Sequence, residues 1–415
     1  MKQLLLLGLL VGSARVQAQT IKNNAVIIGR VDSVTSAVLK EKRKIWVYVP
    51  ASAHDPTYLP QRYPVLYLLD GDAHFVSVMG MVQQLSTVNG NMVCPEMIVV
   101  GIPNTDRSRD FTPTHMSGTA GMSAGELKTS GGGENFTAFL EKELIPYVDA
   151  QYPTTPHRTF IGHSLGGLLV MHTLLHHPRL FDNYVALDPS MWWDGKKLLR
   201  EAPGLLAQPQ LAGRALFVGI ANTMPTGFDT VRVRKDTSEA TDFMRSKLTL
   251  RDELARHPNN GLRVVAKYYP NDSHSSVPLP ATYDALRFLF RAYAPSPAAL
   301  VDFYEPGYMP NPAAFVEAHY QRASAAMGYP VLPPEPMVHD LADYLLQRKQ
   351  PAQALAMFQL NARNYPDSFS VHDSLGDYYS AQDQPALAAT AYTKALQLKD
   401  TAATRQKLSK LQAKK

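Results

Sequence analysis

Short, unbroken apolar runs alternate with longer amphipathic segments from Val26 to about Tyr293. Residues 65–69, 97–101, 159–162, 184–187 and 215–220 are runs of the first kind. Apolar residues at successive positions, rather than at every second one, mark strands covered on both faces. The stretches 135–149 and 165–177 separate them and predict helices. Strand, helix and strand in repetition predict an α/β architecture, a mostly parallel sheet flanked by helices. Residues 25–34 and 44–50 predict an antiparallel leading edge. Residues 262–269 predict a last strand, with a closing helix over 283–293.

The pattern changes after Pro295. Residues 295–336 are proline-rich and predict one helix, over 312–327. Beyond them Val338, Leu341, Ala342, Leu345, Ala354, Phe358 and Pro366 recur at a 34-residue period as His372, Leu375, Gly376, Tyr379, Ala388, Tyr392 and Asp400. Small residues stand where paired helices approach, and larger ones fill the groove between them. The period and pattern resemble the tetratricopeptide repeat, with Asp400 departing from its usual proline. Residues 402–415 are the candidate capping helix. The expected division is a signal peptide over 1–18, an α/β domain over 22–296, a connector over 297–335 and a small C-terminal α-helical repeat domain over 336–415.

Composition narrows the function. The 415 residues are 45% hydrophobic and 19% charged, too apolar for a disordered chain. The formal net charge of +5 is thinly spread, which argues against a nucleic-acid binder. A lone cysteine, Cys94, excludes an internal disulfide and lacks the spaced partners of a zinc site. It reads as a small core hydrophobe. Lys2, the apolar run 4–11 and Val16-Gln17-Ala18 have the layout of a cleaved secretory signal. The expected location is therefore periplasmic or secreted, without stable membrane insertion.

The strongest chemical signal is Gly162-His163-Ser164-Leu165-Gly166-Gly167, set between an apolar strand and a helix. G-x-S-x-G in that setting is the nucleophile elbow of α/β-hydrolases. Ser164 is the candidate nucleophile, and the amide of Leu165, opening the helix, is a candidate oxyanion donor. A serine needs a base. His274 follows the last strand, where this architecture places its histidine. His176 and His177 end the elbow helix and read as structural. The acid is less determined. Asn222 occupies the place after strand 215–220 where many such enzymes carry a carboxylate. Asp188, directly after strand 184–187, is the first candidate, and Glu239, Asp229, Asp236 and Asp242 stay open. The loop after strand 65–69 offers Gly71 for close backbone approach and the amide of Asp72 as second oxyanion donor. His74, Trp192 and Trp193 are candidate substrate contacts, the tryptophans equally candidates for core packing. Arg107 and Arg109 either meet an anionic substrate or belong to a structural pair.

Several motifs together resemble one esterase family of the α/β-hydrolases, that of esterase D, the siderophore esterases acting on ferric enterobactin, and the mycolyltransferases. They are Leu68-Leu69-Asp70-Gly71, Arg107-Ser108-Arg109-Asp110-Phe111-Thr112-Pro113, the elbow, Pro189-Ser190-Met191-Trp192-Trp193 and His274-Ser275-Ser276-Val277-Pro278. The resemblance covers about residues 25–295. It implies carboxylic-ester hydrolysis with no metal or organic cofactor, carried by Ser164 and His274. The expected activity is that of an exported serine esterase acting through an acyl-enzyme on a small-molecule ester. The rivals are an acyltransferase on the same machinery and an inactive hydrolase fold that binds through its repeats. The repeats are expected to dock a protein partner or to self-associate.

Overall fold

The computed structural model describes residues 21–22, 24–117, 123–299 and 311–413. The expected signal segment lies outside them. Eight strands form one sheet: β1 (Arg30–Ser36), β2 (Glu41–Tyr48), β3 (Tyr63–Leu69), β4 (Ile98–Ile102), β5 (Thr154–His163), β6 (Asn183–Leu187), β7 (Ala215–Ala221) and β8 (Arg263–Tyr269). Their order is β8-β7-β6-β5-β3-β4-β2-β1. All neighbours from β8 to β4 are parallel, and β2 and β1 close the other edge antiparallel. Every residue of β3, β4, β6 and β7 is buried, whereas the edge strand β8 is half-buried. The unbroken apolar runs thus sit at the centre, where helices cover both faces. Residues 25–26 are not part of the sheet's leading edge. They pair with Ile21–Lys22 in a separate ribbon.

Four helices matter for the site: α1 (Gly71–Ser86), α2 (Leu165–His176), α3 (Asp242–Arg256) and α4 (Pro278–Leu289). Helix α4 starts at Pro278, earlier than the apolar spacing indicates, because proline at the first helical turn is preset for that conformation. The predicted helix 135–149 is observed from Gly133 to Gln151 with one wide turn at Leu140–Leu144. Strand order reverses beside β3, which has β4 on one side and β5 on the other. Loops leaving β3 and β5 therefore diverge and open a crevice at the carboxyl edge of the sheet, the usual place for a ligand in such folds.

The described chain divides into two compact units. One holds residues 21–50 and 62–291, and the other holds 51–61 and 292–413. The second unit is helical: α5 (Pro312–Met327), α6 (Glu335–Gln347), α7 (Pro351–Asn364), α8 (Phe369–Ala381), α9 (Pro385–Leu398) and α10 (Ala402–Ala413). Helices α6 and α7 pack as one pair, α8 and α9 as another. Val338, Ala342, Leu345, Ala354 and Phe358 are buried in the first pair, and Leu375, Ala388 and Tyr392 in the second. Gly376 faces the Tyr392 ring so closely that a Cβ there would lie 2.4 Å from it. Buried Glu335 accepts hydrogen bonds from Ser368 and from the Leu59 amide, and Lys399 donates to the Pro56 carbonyl. Those bonds fasten segment 51–61 to the helices.

Candidate active site

The chain leaves β5 at His163 and enters α2 at Leu165, so a single residue, Ser164, makes the turn. It does so at φ 60° and ψ −117°, a conformation that costs a non-glycine residue on the order of 1–3 kcal/mol. Hydrogen bonds hold it there: the Ser164 amide donates to Leu187 O at 2.9 Å, and its carbonyl accepts from the amides of Leu168 and Ser190. The flanking residues must be small. A Cβ on Gly162 would lie 2.4 Å from the carbonyl of Gly166. The Ser164 hydroxyl is half-exposed in the crevice, 3.3 Å from that of Ser190.

Asp188, the first residue beyond β6, also has positive φ (44°) and donates its amide to Gly219 O. Its carboxylate accepts from His274 Nδ1 at 2.5 Å on Oδ2, and from the Ala221 amide at 2.8 Å and Lys247 Nζ at 2.6 Å on Oδ1. Burial alone would push this carboxyl up. The hydrogen bond from His274, the Lys247 charge and the Ala221 amide outweigh it and hold Asp188 below the usual carboxylate range. Asp188 is thus the acid brought to His274. The other four candidates are engaged elsewhere or exposed: Asp229 caps the turn at Arg232, Asp236 holds Ser238 and Thr241, Asp242 pairs with Lys196 and Arg245, and Glu239 faces solvent. Asn222 ties the loop after β7 to the loop carrying His274, through its amide to Asp272 O and its side chain to Pro270 O.

Lys247 was not legible as part of this site. It comes from α3, 3% exposed, and bonds both Asp188 and Thr223. The only sequence sign is one lysine among the apolar positions of an amphipathic helix.

The Leu165 and Asp72 amides lie in the first turns of α2 and α1, where backbone N–H groups have no acceptor within the helix. A fork sets their loops together. Arg107 binds Asp70 through two of its nitrogens, Nε to Oδ1 at 2.7 Å and Nη2 to Oδ2 at 3.0 Å, and Nη2 also donates to His163 O. Arg109 pairs with Glu41 and Asp110. Both arginines therefore hold the scaffold. Trp193 is 2% exposed and donates its indole N–H to Thr114 O, so it packs as core and has no surface to give a ligand. Trp192 is half-buried against Phe243, with ring centroids 4.9 Å apart.

His163 lies between two other imidazoles, 4.4 Å from the His274 ring and 5.9 Å from that of His74, and donates Nε2–H to His274 O at 2.8 Å. Burial, then the neighbouring His274 and His74, push its pKa down to about 4. The unfolded chain takes up a proton below about 6.5, whereas the folded one refuses it until about 4. Stability should therefore fall with pH across that window, by about 3 kcal/mol from this residue. His163→Gln keeps a donor for His274 O and removes the ionisation. Urea midpoints for the variant should decline less than those of the unmodified chain between pH 6.5 and pH 4. Equal declines would contradict this.

A mostly parallel sheet with an elbow serine at the start of a helix and a histidine paired with a buried carboxylate has the features of a serine ester hydrolase of the α/β type. The comparisons agree. Residues 36–245 match the model of the family described as "Putative esterase", and the chain belongs to that family. The match includes Ser164 and Asp188 and ends before His274. The ferri-bacillibactin esterase of Bacillus subtilis is 28% identical over 269 residues, 61% of this chain and 88% of that protein. The siderophore enterobactin esterase of Emericella nidulans is 26% identical over 250 residues, 54% of this chain and 81% of that protein. Among solved structures, an IroE-like serine hydrolase from Shewanella oneidensis aligns with TM-score 0.67 at 30% identity, over 81% of this chain and 99% of its own. The chain is a carboxylic-ester hydrolase.

Proposed function

We propose that this chain is an exported serine esterase that opens the ester links of siderophores through a Ser164–His274–Asp188 triad. The observation that carries the chemistry is an imidazole, that of His274, anchored at Nδ1 by the buried Asp188 carboxylate, in a chain whose Ser164 makes a strained one-residue elbow turn. With Nδ1–H given to Asp188, Nε2 is the nitrogen free to exchange a proton. His274 takes the Ser164 proton as the hydroxyl attacks the ester carbonyl. The Leu165 and Asp72 amides stabilise the tetrahedral oxyanion. His274 then protonates the leaving alcohol, and a water deprotonated by the same nitrogen releases the acyl group. Trp192 and His74 are the proposed substrate contacts.

The substrate class is supported by the names of the bacterial and fungal relatives. Export rests on the signal-like pattern of residues 1–18, and no helix among the described residues is long and apolar enough to cross a membrane. We read the paired helices of the second unit as tetratricopeptide-like and suited to docking a protein. The test is product analysis with catecholate tri-ester siderophores, iron-free and ferric, beside p-nitrophenyl butyrate. Turnover of all of them, with linear hydroxy-acid fragments from the siderophores, is expected. Cleavage of the aryl ester alone would refute the siderophore assignment and leave the esterase chemistry standing.

A further inference from the structure

The far end of α2 carries a cluster that the ester chemistry does not use. His172, just over one turn before the end of the helix, and His177, just beyond it, reach the same carboxylate: Nε2 of His172 lies 3.0 Å from Glu134 Oε2, and Nε2 of His177 lies 3.0 Å from Glu134 Oε1. These three ligand atoms all fall within 4.8 Å of one another. A third imidazole, His176, packs against His172 with ring centroids 4.4 Å apart and the planes tilted by 31°, and its Nε2 is 3.9 Å from Glu201. The His172 side chain is 10% exposed, whereas that of Glu134 is 59% exposed, so the cluster is anchored on one side and open on the other. Cavities of about 300 and 140 Å³ lie beside it, the first lined by His176 and His177, the second by His172 and His176.

We infer that His172, His177 and Glu134 form a binding site for one divalent transition-metal ion, zinc being the best match, with water completing the coordination. Two imidazole nitrogens and one carboxylate are a donor set that zinc accepts in four-coordinate geometry with an open position. Ligands about 2.1 Å from such an ion sit roughly 3.4 Å apart in a tetrahedron, so the cluster closes by a small rotation of the outermost side chains. Each imidazole binds as its Nδ1–H tautomer. The position also suits a cation, because the carboxyl end of a helix carries partial negative charge. His172 stands roughly 12 Å along the helix axis from the Ser164 turn, so the ion takes no part in ester hydrolysis. It clamps the helix Gly133–Phe139, which carries Glu134, to the end of α2.

The test uses the untagged full chain, stripped of metal with chelator, then titrated with zinc chloride or cobalt(II) chloride. One ion per chain, a Tm raised by several degrees and the visible bands of tetrahedral cobalt(II) are expected. Glu134→Gln and His177→Gln, both at surface positions and close in size to the native residues, should fold, hydrolyse esters normally and lose the binding. The inference is overturned if neither ion binds at micromolar concentration, if binding is weak and not one-to-one, or if both variants bind as the unmodified chain does. None of these readings depends on the esterase assignment.

Discussion

Ser164→Ala is expected to lower kcat/KM for p-nitrophenyl butyrate by about 10⁴-fold or more, with circular dichroism and Tm showing a folded protein. Removing the hydroxyl removes the proposed nucleophile, while the turn loses none of the backbone bonds that hold it. His274→Ala should do comparable damage, because the hydroxyl without its base is a poor nucleophile. The two groups act as a unit, so the double variant should be scarcely slower than either single one. Losses that multiplied would mean that Ser164 and His274 act in separate steps.

The second large effect concerns the buried ion pair behind His274. Lys247→Met leaves the Asp188 carboxylate, 1% exposed, with one charged partner removed. Breaking such a pair typically costs about 3–5 kcal/mol, most of it from the stranded charge. Asp188→Asn strands the lysine instead and allows the His274 ring the wrong tautomer. It should therefore lose stability to a similar degree and about 10³–10⁴-fold in kcat. Combining Lys247→Met with Asp188→Asn removes both charges at once. Stability should then recover most of the loss while activity stays low. This separation of the two readouts, by urea unfolding and steady-state kinetics, assigns the stability loss to the ion pair and the activity loss to Asp188. If the double variant were no more stable than the singles, the pair would not be the source of the loss.

How much of this was legible in the chain follows from the range of the interactions. The central strands announce themselves because both faces are buried, and the elbow does so because a one-residue turn admits only small neighbours. Asp188 could be ranked first because it ends a strand adjoining the serine's strand, but Glu239, Asp229, Asp236 and Asp242 stayed open, since nothing local shows which carboxylate reaches His274. Lys247 could not, since a lysine in an amphipathic helix has the same local pattern whether it meets water or a buried carboxylate. The Arg107–Asp70 fork was equally hidden. Its partners are held by the divergence of two loops, and the sequence offered a loop arginine with no sign of its contact. Trp193 shows the converse. Its place beside Trp192 left ligand contact and core packing equally open, and the structure decides for packing: its indole N–H finds Thr114 O and the ring goes inside. The association of residues 51–61 with the helical unit has no periodic signature at all.

Every step of the proposed hydrolysis passes through covalent chemistry at one hydroxyl, that of Ser164. Treating the purified chain with a fluorophosphonate and mapping the adduct by peptide mass spectrometry tests it directly. A single adduct on the peptide containing Ser164 is predicted, absent from Ser164→Ala and formed far more slowly in His274→Ala. Labelling at another residue, or labelling that persists in Ser164→Ala, would contradict it.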